Sequence, residues 1–448
     1  MKKCDHFSEL HKTKIGASVV AGEYSKMTER FADKFEITLL SIILFCLPLF
    51  EAPKNVFGLF LVIAFLVLGW RRGFGCGNPF EWPIIGLVLV LWVAGFTSEY
   101  QGETGWYHGD LNLFENAVRW SFLGGVVLIT GRYTFTEQQA RLLWFVAGCS
   151  AVLAVGDALY GWYATGKLYP EIRSVGHVNP SGLYVLVATA VGMGLLYLKP
   201  IWARILGAAV LIAAIGFIIP SRSIVTLAAA GALLVFASYV FVKKSGQVMR
   251  AAIGGAILVV ICAGGLMSPF GAPFRAELQH RITGDEIFSH RDKILYTALE
   301  VWDRNPIFGS GFNSFDAATD PAVVRAELEA EGRDYDAEAS RFFRTIHGHN
   351  LWTNALIERG LVGVVLYTVL LALYAWYFWR AERRIDEPNA TDRMVILTSQ
   401  LVVIGFIVGG LGNTTMQNEH GQAGMMLLAI AAGYLRGRMR HSPQIPKD

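Results

Sequence analysis

The sequence predicts an all-α polytopic membrane protein with about twelve transmembrane helices, and three observations lead there. The 448 residues are 53% hydrophobic and 17% charged, with a mean hydropathy of +0.41, which is too apolar for an ordinary soluble domain. Apolar runs long enough to cross hydrocarbon, about 20 residues each, recur along almost the whole chain. Lysine and arginine collect in alternate connections between those runs, as they do in short cytoplasmic loops.

The expected spans lie near 36–52, 55–70, 82–98, 117–131, 140–160, 181–198, 201–219, 221–242, 250–267, 350–379, 393–411 and 421–436. Residues 1–35 are polar and basic, so they read as a cytoplasmic N-terminal segment and the first run as a spanning helix, not as a cleaved signal peptide. Residues 36–270 then carry helices one to nine, 271–348 a periplasmic loop, 349–436 helices ten to twelve, and 437–448 a cytoplasmic tail. The seventh and eighth runs are continuous by hydropathy. They divide at Ile219-Pro220-Ser221-Arg222, where proline lacks an amide and arginine brings a charge.

With the N-terminus inside, Arg71, Arg72, Arg132, Lys199, Arg204, Lys243, Lys244, Arg383 and Arg384 fall on the cytoplasmic side, and Lys54 and Lys167 are exceptions. The loop 99–116, the segment 160–180 and the long loop before His349 fall outside. The net charge of +3 follows from this topology and gives no reason to expect nucleic-acid binding. Cys4 and Cys76 fall inside, and Cys46, Cys149 and Cys262 lie in apolar runs, so the outer loops hold no disulfide pair.

Residues 271–348 are the one soluble-sized piece. Ser289-His290-Arg291-Asp292, followed by Ile294, Leu295, Ala298, Leu299 and Trp302, has helical period, with Ser289 placed as an N-cap. That helix ends at Asn305-Pro306. Gly309 and Gly311 mark a tight turn, and 321–343 reads as a second, highly charged helix. A structured loop of this length suits a lid on the bilayer surface.

Three side chains gather on the outer side in this topology. His349 opens the tenth span and can titrate near neutral pH. Arg222 is expected in the first turn after Pro220-Ser221, where its guanidinium and free helix amides make an anion site. Arg291 opens the loop helix. Two arginines and a neutral histidine suit a diphosphate leaving group beside a hydroxyl nucleophile.

Taken singly, each has a structural reading. Arg222 alone reads more readily as a snorkelling or ion-paired interface residue, Arg291 as a partner of Asp292 or Glu286, and His349 as an interfacial helix cap. His347-Gly348-His349 invites a metal reading, with His177, His280, His290 and His420 also outside, but the spacing matches no recurring zinc or iron pattern. Asp157 and Glu358-Arg359 are ionisable groups at membrane depth, which ion pairing explains at least as well as catalysis.

The pattern His349-Asn350-x9-Gly360-x-x-Gly363 follows a large loop containing Asn305-Pro306-x-Phe308-Gly309-x-Gly311, with Pro220-Ser221-Arg222 upstream. It resembles the O-antigen ligase and O-antigen polymerase family, closely over the second half and by span count over the first. The largest outer loop between spans nine and ten resembles the ligase branch. The resemblance implies a glycosyltransferase C-like fold and an inverting transfer of O-antigen glycan from undecaprenyl diphosphate to a sugar hydroxyl of lipid A-core, in lipopolysaccharide assembly at the bacterial inner membrane. It implies His349 as general base, Arg222 and Arg291 as diphosphate ligands, and no metal or other cofactor. Asn179-Pro180 also resembles an outer-loop element of these proteins, and reads otherwise as a helix-start turn. Arg173, His177, Asn179, His347 and Asn350 are further candidate substrate contacts.

Two other functions compete. A polymerase of the same superfamily would use a second lipid-linked glycan as acceptor. A transporter of lipid-linked glycans would instead carry paired broken helices near the bilayer midplane.

Overall fold

The computed structural model describes residues 34–68, 78–98, 100, 104–105, 109–110, 112–245, 264, 267–268, 271–283, 290–345, 347–416 and 418–441. Nearly all of the expected ninth span, and Ser289 with its expected capping role, lie outside the described residues. Residues 34–46 form helix α1. It is followed by α2 (Glu51–Leu68), α3 (Glu81–Thr97), α4 (Leu113–Arg132), α5 (Glu137–Thr165), α6 (Val178–Leu195), α7 (Ile201–Ser221) and α8 (Ile224–Ser245). The long loop contributes α9 (Ala272–Thr283), α10 (Arg291–Arg304), α11 (Phe315–Ala318), α12 (Pro321–Ala330) and α13 (Tyr335–Glu338). The chain closes with α14 (Leu351–Arg384), α15 (Ala390–Gly410) and α16 (Asn418–His441). Thr104–Gly105 and Gly109–Asp110 form one short antiparallel pair between α3 and α4.

Among the described residues, six helices are long and apolar enough to cross a membrane: α5, α6, α7, α8, α14 and α15. The protein is therefore a helical, multi-pass membrane protein. Helix α6 lies at the centre, packed on α7, α15 and α16, while α7 and α8 keep broad apolar faces outward, including Ile205, Ile212 and Val235. Small residues let α6 sit there. A Cβ on Gly207 of α7 would stand 2.7 Å from the Gly192 carbonyl oxygen, so the two backbones touch directly, as small-residue interfaces in membranes allow. Across α6, Trp144 Nε1 donates to Thr398 Oγ1 at 3.0 Å, joining α5 to α15.

The starts of α6, α8 and α14 and the ends of α7 and α15 meet at one end of this bundle, where the long loop also packs. Helix α10 buries Ile294, Ala298 and Val301 in a cluster with Leu113, Phe315, Ala318 and Ile357. It starts at Arg291, as expected, after His290 in a left-handed conformation (φ 59°), and ends at Asn305. The expected single helix 321–343 is instead broken after α12. Gly332 (φ 75°) donates its amide to Glu329 O at 3.0 Å, and Arg333 donates to Leu328 O at 2.8 Å, the paired bonds that stop a helix at a left-handed glycine. Beyond the stop, Arg333 binds Glu300 (2.8 Å) and Glu338 (2.7 Å), folding the segment back onto α10. These arginine contacts hold the Glu300 carboxyl below its ordinary range.

Helix α14 is longer than a bilayer requires and is not continuous. At Gly360 the backbone leaves helical geometry (φ 60°, ψ −163°). The carbonyls of Ile357 and Glu358, which would receive Leu361 and Val362 in an unbroken helix, receive Ser310 N (2.7 Å) and Gly311 N (3.0 Å). The displaced Leu361 and Val362 amides bond to Pro306 O (2.8 Å) and Ile307 O (3.2 Å). The loop 306–311 is thus spliced into the broken ladder of α14, and each opened backbone group keeps a partner. Side chains are excluded at the join: a Cβ on Gly309 would collide with Arg359 N, and one on Gly360 with Ile307 O.

Candidate active site

A cleft opens at this end of the bundle, lined by Tyr169, His177, Asn179, Arg222, Arg291 and His349 together with Val178 and residues 221–225. Five expected site residues therefore meet, although they come from positions 177 to 349. Among the described residues, no carboxylate lines the cleft. The first residues of α6 and α8 face the cleft and α14 starts just behind His349, so three positive helix ends add to the arginines.

Arg222 reaches the cleft in a different way from that expected. Pro220 lies within the last turn of α7, and Arg222 is the left-handed residue (φ 55°) that ends that helix, rather than a member of the first turn of α8. Ser223 starts α8 instead, its Oγ accepting the Thr226 amide at 3.3 Å. The reason is local: proline removes only its own amide, and the turn before it still closes, with Ser221 Oγ donating to Ile218 O at 2.7 Å. The Arg222 guanidinium stacks 5.3 Å from the Tyr169 ring centroid. Its Nε is buried with no hydrogen-bond partner, and no ion pair forms on it among the described residues. Tyr169 gave no signal in the sequence, since its loop has no motif that marks a cation partner.

Arg291, at the start of α10, donates from Nη2 to Gly412 O at 3.3 Å. That bond ties the long loop to the turn after α15. Gly412 is bare because a Cβ there would collide with Val225 Cγ2, next to the cleft wall.

His349 also adopts a left-handed backbone (φ 47°), a conformation that costs a non-glycine residue about 1–2 kcal/mol and persists when its surroundings dictate it. His347 supplies part of that support, its Nδ1 accepting the His349 amide at 3.3 Å, with the two rings edge-to-face at 4.1 Å. Because Nδ1 is the acceptor, a neutral His347 carries its proton on Nε2. Burial pushes His349 down to about 3, and His347, Arg291 and His177 reinforce the shift. Burial also lowers His347 to about 4, with His177 and His420 adding to the effect. Both imidazoles are neutral at pH 7, so His349 presents a free lone pair beside two cations.

His177 caps α6, with Nδ1 3.5 Å from the Asn179 amide. Ser181 holds the preceding turn, accepting from Ile172 N (2.9 Å) and donating to Gly176 O (2.8 Å). Three other candidates stand apart from the cleft lining. Arg173 is 76% exposed and pairs with Asp157 at 3.3 Å. Asn350 is the N-cap of α14, accepting the Trp352 (2.8 Å) and Thr353 (3.2 Å) amides while donating to Leu411 O (2.9 Å). His347 lies behind His349. Glu358 and Arg359 form the ion pair the sequence suggested, at 3.0 Å and fully buried.

Fold and site together define a multi-pass helical membrane protein with a histidine in an anion-attracting cleft at one end of its bundle. Residues 208–368 match the family model of the O-antigen ligase domain. The matched segment contains Arg222, Arg291, His349 and the spliced join between the loop and α14. No curated protein matches the chain.

Proposed function

We propose that this protein is an inverting glycosyltransferase that moves O-antigen glycan from undecaprenyl diphosphate to a sugar hydroxyl of lipid A-core. The observation that carries this reading is the convergence of Arg222, Arg291 and His349 on one cleft, with no carboxylate among its described lining residues. Anionic diphosphate is the chemistry such a surface attracts.

In the proposed reaction the two guanidiniums and the helix ends bind the donor diphosphate. The acceptor hydroxyl attacks the anomeric carbon from the opposite face, the bond to the diphosphate oxygen breaks, and His349 takes the hydroxyl proton. Configuration inverts. The diphosphate leaves as a stable anion and needs no proton from an acid. In the free protein His349 is a weak base, held at about 3 chiefly by burial, with His347, Arg291 and His177 adding to the shift. A bound diphosphate offsets the Arg291 charge and raises that value, so base strength grows when the donor is in place. His177 and Asn179 line the same cleft and are proposed to contact the substrate.

On this reading the chain has a glycosyltransferase C-like architecture, crosses the bacterial inner membrane about twelve times and keeps 271–348 in the periplasm as a lid. The six long apolar helices support the membrane setting. The test is reconstitution of purified protein with undecaprenyl diphosphate-linked glycan and either lipid A-core or a second lipid-linked glycan. Glycan joined to lipid A-core supports the reading; elongated lipid-linked glycan would assign the protein to the polymerases instead.

A further inference from the structure

The mechanism above leaves one buried charged pair unused. Glu358 and Arg359 sit at 1% and 0% exposure immediately before the break in α14. The Arg359 guanidinium is caged by Trp120, Phe312 and Tyr367, at 4.8, 5.5 and 5.3 Å from their ring centroids. Burying an ion pair brings little net stability, and well-packed apolar side chains often serve equally well. A pair in this place calls for another explanation.

Its contacts supply one. Glu358 Oε1 accepts the amide of Asn313 at 2.9 Å, and Asn313 holds the left-handed backbone (φ 63°) that turns the chain after Gly311. The Glu358 carbonyl receives Gly311 N in the spliced join. One residue thus clamps the loop 306–313 through both its backbone and its side chain. That loop leaves the end of α10, whose Trp302 Nε1 donates to Pro306 O at 3.0 Å, and α10 begins at Arg291. On the other side, one turn before Glu358, Asn354 accepts the Gly348 amide at 2.9 Å through Oδ1. The Asn354 Nδ2 makes no well-aligned hydrogen bond, but its amide lies close enough to the Glu358 carboxyl to interact with it. Gly348 is tightly fitted, since a Cβ there would stand 2.8 Å from Asn354 N, and it precedes His349. Glu358 therefore lies where the element carrying Arg291 is fastened to the element carrying His349.

We infer that Glu358, paired with Arg359, is a positioning residue: it fixes the helix bearing Arg291 on the helix start bearing His349, and so sets the spacing of base and diphosphate ligand. The inference rests on the proposed roles of those two residues. Neither member of the pair lines the cleft. Displacement of reacting groups by about 1 Å can cost on the order of a hundredfold in rate, so a clamp at this distance governs turnover more than donor binding, which Arg222 retains.

The test uses full-length protein reconstituted with undecaprenyl diphosphate-linked glycan and lipid A-core, with Glu358→Gln, Glu358→Asp and the double variant Glu358→Leu with Arg359→Met measured beside His349→Ala. The double variant leaves no unpaired buried charge, so it keeps the fold, yet it removes the acceptor of the Asn313 amide. Glu358→Gln and the double variant are expected to lower kcat by about tenfold or more while the donor KM stays within about threefold and the melting temperature of the double variant holds. Glu358→Asp recovers part of the loss. Wild-type kcat in the double variant, or a kcat that falls only in step with the folded fraction, overturns the inference. So does loss of folded protein in both the Gln and the double variants, which makes the pair purely structural. His349→Ala separates the two levels: if it retains transfer, the reading of the base fails whatever the Glu358 variants do.

Discussion

The amide of Leu361 is bonded to the carbonyl of Pro306 at 2.8 Å, where an unbroken helix would give it to Ile357. That exchange joins the two glycine-bearing stretches, 305–311 and 360–363, that stood separately in the sequence. It also accounts for two of their glycines, since Gly309 (φ 73°) and Gly360 (φ 60°) occupy left-handed backbone with no space for a side chain.

Alanine at Gly360 is accordingly expected to destabilise the protein by more than the roughly 1–2 kcal/mol that left-handed backbone alone costs, because its methyl would also meet the Ile307 carbonyl. Thermal unfolding of the purified variant checks this. An unchanged melting temperature would mean that the join is not held as described.

Arg222 stacks on Tyr169 and has a buried Nε without a partner. Lysine keeps the charge and loses the planar fork that grips phosphate oxygens in pairs. Arg222→Lys is expected to lower kcat/KM for the lipid-linked donor by about tenfold, equivalent to about 1.4 kcal/mol, and Arg222→Ala by more. Near-normal kinetics in the lysine variant would contradict a guanidinium clamp.

Acid should weaken the fold over a defined range. His347 and His349 remain neutral in the folded protein down to about 4 and about 3, whereas unfolded histidine takes up a proton near 6.5. Below that value the unfolded chain binds more protons, so stability is flat above neutrality and falls as the pH drops from about 6.5 toward 4. Glu300, held low by Arg333, loses its contribution further down, as the pH falls below the ordinary carboxylate range. Melting temperatures at pH 8, 6 and 4.5 should show the decline, and His347→Gln should reduce it. An equal slope in that variant would remove His347 as a source.

Arg173 is paired with Asp157 in the open, away from the cleft lining. Exposed pairs contribute about 0–1 kcal/mol, so Arg173→Ala should leave transfer within about twofold of wild type. A tenfold loss would return Arg173 to the list of substrate contacts.

Much of this was legible in the chain because it follows from hydropathy and position. The apolar runs located the helices, and the two arginines and the histidine at 222, 291 and 349 stood out as polar groups at helix ends expected on one side of the membrane. Their convergence could be read from topology, since helix starts and ends alternate between the two faces. What escaped was backbone detail set by distant partners. The carbonyls of Ile357 and Glu358 bond to residues nearly fifty positions upstream, and no local pattern announces that pairing. The stop at Gly332 was visible in principle, but the charged helical period continues past it and masks the glycine. Arg222 ends α7 instead of opening α8 because Pro220, expected to break the chain there, fits within the last turn of α7.

The most direct measurement concerns His349. In membranes carrying matched amounts of wild-type and His349→Ala protein, transfer of glycan from undecaprenyl diphosphate to lipid A-core is followed on both. Transfer is expected to vanish in the variant while its abundance and melting behaviour persist. Retained transfer at the wild-type rate would contradict the assignment of His349 as the base.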